Sequence, residues 1–163
     1  MRVADLGCGP GFFTIHISRI VGPDGVVYAV DRSDAALRML RASLQKRRDA
    51  ARRIRMLRRD VSHTGIPTRS LDLAFFANVF HDIVERRAFI AELRRMLRPG
   101  GIAIDLDWKA VRTQAGPPLS IRLGSHDAAA LLSRNGLDIK RIVSLGRHHY
   151  AIICTAPYAA PRG

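Results

Sequence analysis

The sequence predicts an α/β fold, a doubly wound and mostly parallel seven-stranded sheet with helices on both faces. The first observation is that short β-type runs alternate with helical patterns along the 163 residues. The second is a glycine-rich loop between the first such run and the first helical pattern. The third is that a polar residue stands directly after or close behind each of the next three runs, namely Asp31, Asp60 and Asn78. Ligands of open α/β sheets bind outside the carboxyl ends of the strands, so these residues mark a candidate site.

The elements are predicted in order along the chain. Strand one, at residues 2–6, leads to a helix over 11–21 whose buried face is expected to carry Phe12, Ile15 and Ile20. Strand two is expected over 26–30. Ser33 is a good N-cap for a helix to about residue 48, because its hydroxyl can accept a bond from a first-turn amide. The later elements are strand three at 54–58, strand four at 71–77, a helix at 85–98, strand five at 102–106, a helix at 125–134 and closing strands near 139–145 and 150–155.

One domain accounts for the length, and we expect it to span residues 1–158, with 159–163 as a frayed tail. The content of 47% hydrophobic and 25% charged residues is typical of globular rather than disordered chains. No apolar run reaches the roughly 18–20 residues that a membrane span needs. The sequence also begins without a signal-peptide pattern, so a cytoplasmic location is predicted.

Metal binding is not predicted. Cys8 and Cys154 have neither a CxxC partner nor a histidine nearby at ligand spacing, so a structural zinc site is disfavoured. His148 and His149 are adjacent in a predicted strand, where neighbouring side chains point to opposite faces. They are therefore not expected to share a metal ion.

The net charge of +13 is concentrated in one segment. From Arg38 to Arg59 there are ten basic residues and one acidic residue, Asp49. Such a positive field can attract nucleic acid or anionic lipid, and the alternative is a solvated helix face. Arginine makes up 24 of the 27 basic residues, which can also reflect genome composition. No aromatic stacking platform interleaves the arginines. We expect this segment at one sheet edge, away from the end of strand four.

The glycine loop indicates a ligand site. Gly7, Gly9 and Gly11 allow a sharp turn and a close backbone approach to a ligand, next to the free amides of a helix start. The dinucleotide pattern is G-x-G-x-x-G, but here Phe12 stands at the position of the last glycine. Asp5 suits a ligand with an amino group better than a pyrophosphate. A dinucleotide is therefore disfavoured, and with it a nicotinamide dehydrogenase.

The run VADLGCGPG, from Val3 to Gly11, resembles the first motif of the class I S-adenosylmethionine-dependent methyltransferases, an acidic residue followed by G-x-G-x-G. Asp31 after VVYAV, Asp60 in RRDV and the segment LRPGG at 97–101 agree with this family in order and distance. The resemblance implies the strand order 3-2-1-4-5-7-6 with the last strand antiparallel, and S-adenosyl-L-methionine as cofactor. No helical pattern precedes strand one, so we expect the family's N-terminal helices to be missing.

The resemblance also implies roles for individual residues. Asp31 takes the position that offers an acid to the ribose hydroxyls, and Asp60 the position that binds the adenine amine. Asn78 is expected to contact the methionine part through its backbone. For either acid taken alone, an ordinary loop acid or helix cap is the alternative. The predicted cofactor-binding residues are Asp5, Gly7, Cys8, Gly9, Gly11, Asp31, Arg32, Asp60, Val61 and Asn78.

The segment NVFHD, from Asn78 to Asp82, resembles the N-x-x-H-H or N-x-x-F-H segment of the family branch that includes ubiquinone/menaquinone-biosynthesis and other small-molecule methylases. It departs from the N/D-P-P-Y/F motif of amino-group DNA methylases. His81 is the candidate catalytic base, because its pKa lies near working pH, and the alternative is a packing or capping role. Trp108 and the cluster His148-His149-Tyr150 are candidates for lining the acceptor pocket, and a core residue of its strand is the alternative for Tyr150.

The function implied is methyl transfer to a small-molecule acceptor. One alternative is an RNA or protein methyltransferase that docks its substrate through the basic segment from Arg38 to Arg59. Another is a non-catalytic domain that only binds S-adenosylmethionine.

Overall fold

The computed structural model describes residues 1–158, so the tail predicted at 159–163 lies outside the described residues. Within them, seven strands form one sheet in the order β3-β2-β1-β4-β5-β7-β6, which confirms the expected order. β7 is antiparallel to both of its neighbours, and the other pairs are parallel. The strands are β1 (Arg2–Leu6), β2 (Val26–Asp31), β3 (Ile54–Arg58), β4 (Leu71–Ala77), β5 (Leu97–Trp108), β6 (Asp138–Leu145) and β7 (His149–Thr155).

Five α-helices accompany the sheet in residues 1–158: α1 (Phe12–Ile20), α2 (Asp34–Gln45), α3 (Arg48–Arg53), α4 (Arg86–Met96) and α5 (Ser125–Arg134). A core around Val3, Val27 and Leu40 joins α1, α2 and α3 to one face of the sheet. A larger core joins α4 and α5 to the other face and contains the edge-on rings of Phe76 and Phe89, 5.1 Å apart. In the described part, no helix has the length and apolar character needed to cross a bilayer.

The predicted buried face of α1 was wrong for Phe12 and Ile20, whereas Ile15 is half-buried and packs against the core as expected. Phe12 and Ile20 are 68% and 77% exposed, whereas Thr14 and Ser18 are fully buried. The hydroxyl of Thr14 donates a hydrogen bond to Oδ2 of Asp5 at the end of β1. The helix is therefore turned so that a hydroxyl, rather than an apolar side chain, meets the buried carboxyl group. Apolar periodicity alone does not carry that information.

The helix predicted from Ser33 to about residue 48 is two helices. Ser33 caps α2 as predicted, because its Oγ accepts a hydrogen bond from the amide of Ala36 at 3.2 Å. α2 ends at Gln45, and Arg47 has non-helical backbone angles of φ −137° and ψ 63°. The break redirects the chain, so that α3 buries Ala50 and delivers the backbone to the start of β3.

β5 is longer than predicted, and the extra length matters for the site. α4 ends at Met96, and the Pro99-Gly100-Gly101 segment belongs to the strand, with an irregular register against β4. At its other end β5 continues past Leu106 to Trp108, because its pairing with β7 extends to His149. The two added residues, Asp107 and Trp108, lie at the carboxyl edge of the sheet.

Candidate functional site

A cavity of about 520 Å³ opens at the carboxyl edge of the parallel strands. Residues at or just beyond the ends of β1, β2, β3 and β4 line it, among them His63, Val79, Ile83 and Val84. Six of the ten predicted cofactor-binding residues lie on its wall: Gly7, Asp31, Arg32, Asp60, Val61 and Asn78. The structure therefore brings together residues that are up to 71 positions apart in the sequence.

The other four predicted residues, Asp5, Cys8, Gly9 and Gly11, are not among those that line this cavity. The glycine loop nevertheless requires glycine. Gly9 has φ +52° and open space where a Cβ would stand, so its backbone is uncovered. Gly7 has φ +72°, and a Cβ there would come within 2.5 Å of Cγ2 of Val79, on the cavity wall. A side chain at Gly7 would therefore distort both the loop and the wall.

Asp31 is held in place by the backbone. Its Oδ2 accepts a hydrogen bond from the amide of Gly9 at 2.8 Å, and its Oδ1 accepts one from the amide of Ser33 at 2.8 Å. An ionised carboxylate offers about four lone-pair sites, so each oxygen retains capacity for one more donor. Asp31 can therefore accept two further hydrogen bonds from adjacent hydroxyls while keeping the loop in position.

Asp60 leaves one carboxylate oxygen available. Its Oδ1 accepts a hydrogen bond from the amide of Ser62 at 2.8 Å, and within residues 1–158 its Oδ2 has no hydrogen-bond partner. The side chain is exposed, and Val61 beside it is half-buried. This arrangement suits an exocyclic amine that donates to Oδ2 from inside the cavity.

Asp5 faces the protein interior. It is 2% exposed, and its Oδ2 accepts from the Thr14 hydroxyl. Burial raises its pKa to about 6 from an ordinary value of 3.8, although the Thr14 hydrogen bond lowers the pKa in part. In this arrangement Asp5 fastens the start of α1 to the end of β1. The contact to a ligand amine that the sequence suggests stays a prediction.

His81 lies behind the cavity wall, paired with Asp107. Its Nδ1 is 2.7 Å from Oδ1 of Asp107, and its amide donates to Oδ2 of the same carboxylate at 3.1 Å. The Asp107 hydrogen bond raises the pKa of His81, and burial opposes part of the rise. The pair fixes the imidazole so that Nδ1 carries the proton shared with Asp107 and Nε2 points away from it.

Asp82 connects this pair to the cavity. Its Oδ2 is 3.5 Å from Nε2 of His81, and its side chain is 63% exposed, whereas that of His81 is 5% exposed. Asp82 lines the cavity and His81 does not. A proton released in the cavity therefore meets Asp82 before His81.

Asp107 was not predicted from the sequence, because strand five was expected to end at Leu106. The signal was present in the run Asp105-Leu106-Asp107, where two acids alternate in an apolar strand. Both acids are almost fully buried. Such acids need partners or protonation, and burial together with the charge of Asp107 raises the pKa of Asp105 well above its usual range.

The predicted acceptor-pocket residues lie apart from the cavity. Trp108 packs against His149, with ring centres 4.2 Å apart, and the Arg122 guanidinium lies 5.0 Å from the Trp108 ring centre. Arg122 in turn donates to backbone carbonyls of the segment that follows β5, including those of Val111 and Pro117. Tyr150 is buried and lines a second cavity of about 510 Å³, between β6 and the start of α5.

Comparison with known proteins agrees with this geometry. Residues 4–105 match the family described as the methyltransferase domain. The ubiquinone/menaquinone biosynthesis C-methyltransferase UbiE of Stutzerimonas stutzeri is 28% identical over 113 residues, which are 69% of this chain and 44% of that protein. The chain therefore spans less than half the length of this relative.

Two solved structures extend the comparison. A SAM dependent methyltransferase from Aquifex aeolicus superposes with a TM-score of 0.89 at 26% identity, covering 95% of this chain and 81% of its own. The [4+2]-cyclase SpnF superposes with a TM-score of 0.79 at 16% identity over 97% of this chain and 76% of its own, a likeness of fold alone.

The family match covers most of the chain, and the sheet order and the glycine loop agree with it. This chain belongs to the methyltransferase-domain family, and the family resemblance seen in the sequence is confirmed.

Proposed function

We propose that this chain binds S-adenosyl-L-methionine in the cavity at the carboxyl edge of the sheet and transfers its methyl group to a small-molecule acceptor. The observation that carries the proposal is the convergence of Gly7, Asp31, Asp60 and Asn78, from the ends of four strands, on one cavity of about 520 Å³. This volume lies within the range of small-molecule and cofactor pockets.

The residues present fit the cofactor. Asp31 retains two acceptor positions for a ribose diol, and Asp60 retains Oδ2 for the adenine amine. The uncovered backbone of Gly9 leaves room for the amino-acid part. When bound, S-adenosyl-L-methionine supplies an electrophilic methyl group on sulfur, and S-adenosylhomocysteine is the leaving group. The protein must then mainly align the acceptor and remove any proton that the acceptor loses.

Asp82, His81 and Asp107 are proposed to accept that proton. The Asp82 carboxylate faces the cavity and takes the proton or passes it to Nε2 of His81, 3.5 Å away. Asp107 is a positioning residue, because its hydrogen bond to Nδ1 stabilises the imidazolium that forms. An acceptor that loses no proton would not need this route.

Two observations support a small-molecule acceptor. UbiE, by its name, acts in ubiquinone/menaquinone biosynthesis, and it is similar to this chain over 113 residues, which are 69% of the chain. The segment after β4 is NVFHD rather than the N/D-P-P-Y/F motif of base-amine methylation. The fold by itself does not establish methyl transfer, since a [4+2]-cyclase shares it. A cytoplasmic location stays a prediction from the sequence.

The experiment is a label-transfer assay with methyl-labelled S-adenosyl-L-methionine. The acceptors are a panel of soluble quinols, phenols and amines, total tRNA, and a protein extract. The expected result is that the wild type labels a small molecule and that this labelling is lost in the Asp31→Ala variant. Label in tRNA or protein alone would overturn the small-molecule proposal. Cofactor binding without transfer to any pool would instead support a non-catalytic binding domain.

A further inference from the structure

Ten basic side chains lie along one edge of the molecule. They come from α2, α3, β3 and the residues around these elements, and β3 is the edge strand of the sheet. Nine are exposed, and Arg53 is half-buried. We call this surface the basic face, and its members are Arg38, Arg41, Lys46, Arg47, Arg48, Arg52, Arg53, Arg55, Arg58 and Arg59.

Little on this surface compensates the charge. Asp34 pairs with both Arg38 and Arg58, the latter at 4.0 Å. Arg47, Arg53 and Arg59 donate to backbone carbonyl oxygens, which leaves their charge intact. Within residues 1–158, the other five have no hydrogen-bond or ion-pair partner: Arg41, Lys46, Arg48, Arg52 and Arg55. Asp34 and Asp49 are the acidic residues among these ten cations, so most of the chain's net charge of +13 lies along this edge.

We propose that the basic face is a docking surface for single-stranded RNA. Nine of its ten cations are arginines, whose planar fork matches a phosphate with two parallel hydrogen bonds. The face turns around a sheet edge and includes two helices and a strand, and a flexible single strand can follow such a surface. The absence of interleaved aromatic side chains predicts binding that depends on phosphate contacts and little on base sequence.

The side chains on this face fit an anionic membrane less well. Interfacial binding combines cations with apolar side chains that enter the lipid. Between residues 34 and 59 only Met39, at 60%, is an exposed large hydrophobic residue. A purely protective role is the other alternative, since charged residues on edge strands such as Arg55 prevent pairing between chains. That role requires no affinity for RNA.

The basic face also reaches the cavity. Arg59 is its last member, and it lines the same cavity as Asn78. The expectation that the basic segment lies away from the end of strand four is therefore wrong at this one residue. RNA docking is independent of the proposed methyl transfer, because the five unpartnered cations are outside the cavity lining.

The test is fluorescence anisotropy of a labelled oligouridine of about 20 nucleotides, titrated with the full chain at about 50 to 200 mM salt. The test variant is Arg48→Glu/Arg52→Glu/Arg55→Glu. Its matched control is Arg94→Glu/Arg134→Glu/Arg141→Glu, which makes the same change in net charge with exposed arginines of α4, α5 and β6. Circular dichroism and S-adenosylhomocysteine binding check that both variants fold. The corresponding arginine-to-glutamine triples replace any variant that does not.

We expect the test variant to bind at least tenfold more weakly, and the control to stay within about threefold of the wild type. The slope of log affinity against log salt concentration should be smaller by about 2 in the test variant, because each of the lost phosphate contacts contributes about 0.7. Equal losses in the two variants would overturn the proposal, because net charge alone would then explain binding. The proposal would also be overturned if the wild type did not bind RNA but floated with phosphatidylglycerol vesicles, or if it bound duplex as tightly as single strands.

Discussion

The amide of Gly9 donates a hydrogen bond to Oδ2 of Asp31 at 2.8 Å, which joins the glycine loop after β1 to the end of β2. A second amide, that of Ser33, holds the other oxygen of the same carboxylate. Asp31 therefore shapes the loop that the ligand must approach and also presents its remaining lone pairs to the cavity. Loop geometry and ligand recognition depend on one side chain.

Replacing Asp31 tests this double role. Asp31→Asn removes the charge and leaves one oxygen acceptor where there are two. Hydrogen bonds to a charged group contribute about 1.5–3 kcal/mol each, so we expect S-adenosylhomocysteine to bind about 10- to 100-fold more weakly by calorimetry. Asp24→Asn, in an exposed turn, is the matched control and should bind like the wild type. Unchanged affinity in Asp31→Asn would remove Asp31 from the binding site.

Asp60 is expected to select adenine over hypoxanthine. Its free Oδ2 can accept from the adenine amine, whereas the hypoxanthine carbonyl would face the carboxylate without a donor. We predict that the wild type prefers S-adenosylhomocysteine to its inosine analogue by about tenfold or more. In Asp60→Asn, whose amide can donate, this preference should shrink or invert. If the wild type and Asp60→Asn showed the same preference between the two ligands, the assignment of Asp60 to the adenine amine would be contradicted. Asp138→Asn is the control variant.

Asp107 should make stability depend on pH through His81. The native pKa of His81 is raised above its ordinary value of 6.5 by the Asp107 hydrogen bond. The resulting stabilisation is fully present below about pH 6.5 and is lost as the pH rises through the native pKa. We therefore expect the difference in unfolding free energy between wild type and Asp107→Asn, measured in urea, to be largest at low pH. A stability difference that stays constant with pH would argue against the His81–Asp107 pair. His126→Gln is the control variant.

Asp5 should make the unfolding free energy depend on pH in a lower range than His81 does. Its native pKa of about 6, against 3.8 ordinarily, means that the buried site favours the protonated form. This contribution is fully present below about pH 3.8 and is lost as the pH rises through about 6, a change of up to about 3 kcal/mol. Asp5→Asn stays neutral, so it should gain stability relative to the wild type between about pH 4 and about pH 7. The prediction is contradicted if the unfolding free energies of the wild type and of Asp5→Asn, measured in urea, differ by the same amount at every pH.

The sequence allowed the sheet and one side of the site to be predicted. Asp31 and Asp60 stand at or just beyond the ends of strands, and Asn78 follows β4 directly. Their convergence follows from parallel pairing, and the family resemblance supplied the strand order. The acid before the glycine loop was recognised, but its burial against Thr14 was not, because the rotation of α1 depends on a tertiary hydrogen bond.

The other side of the site could not be predicted in the same way. Asp107 joins the site because pairing with β7 extends β5 beyond Leu106, and strand ends are set by such partners rather than by local pattern. The contacts of Arg122, which lies outside the cavity lining, could not be predicted for a related reason. Its partners are mainly backbone carbonyls of the segment after β5, and their positions depend on the folded chain.

Calorimetric titration of the folded chain with S-adenosylhomocysteine, and in parallel with NAD, tests the central claim most directly. We expect a saturable heat of binding with one site for S-adenosylhomocysteine and none for NAD, because Phe12 stands where the dinucleotide pattern has its last glycine. No binding of S-adenosylhomocysteine by protein shown to be folded, or binding of NAD in its place, would contradict the assignment of the cavity.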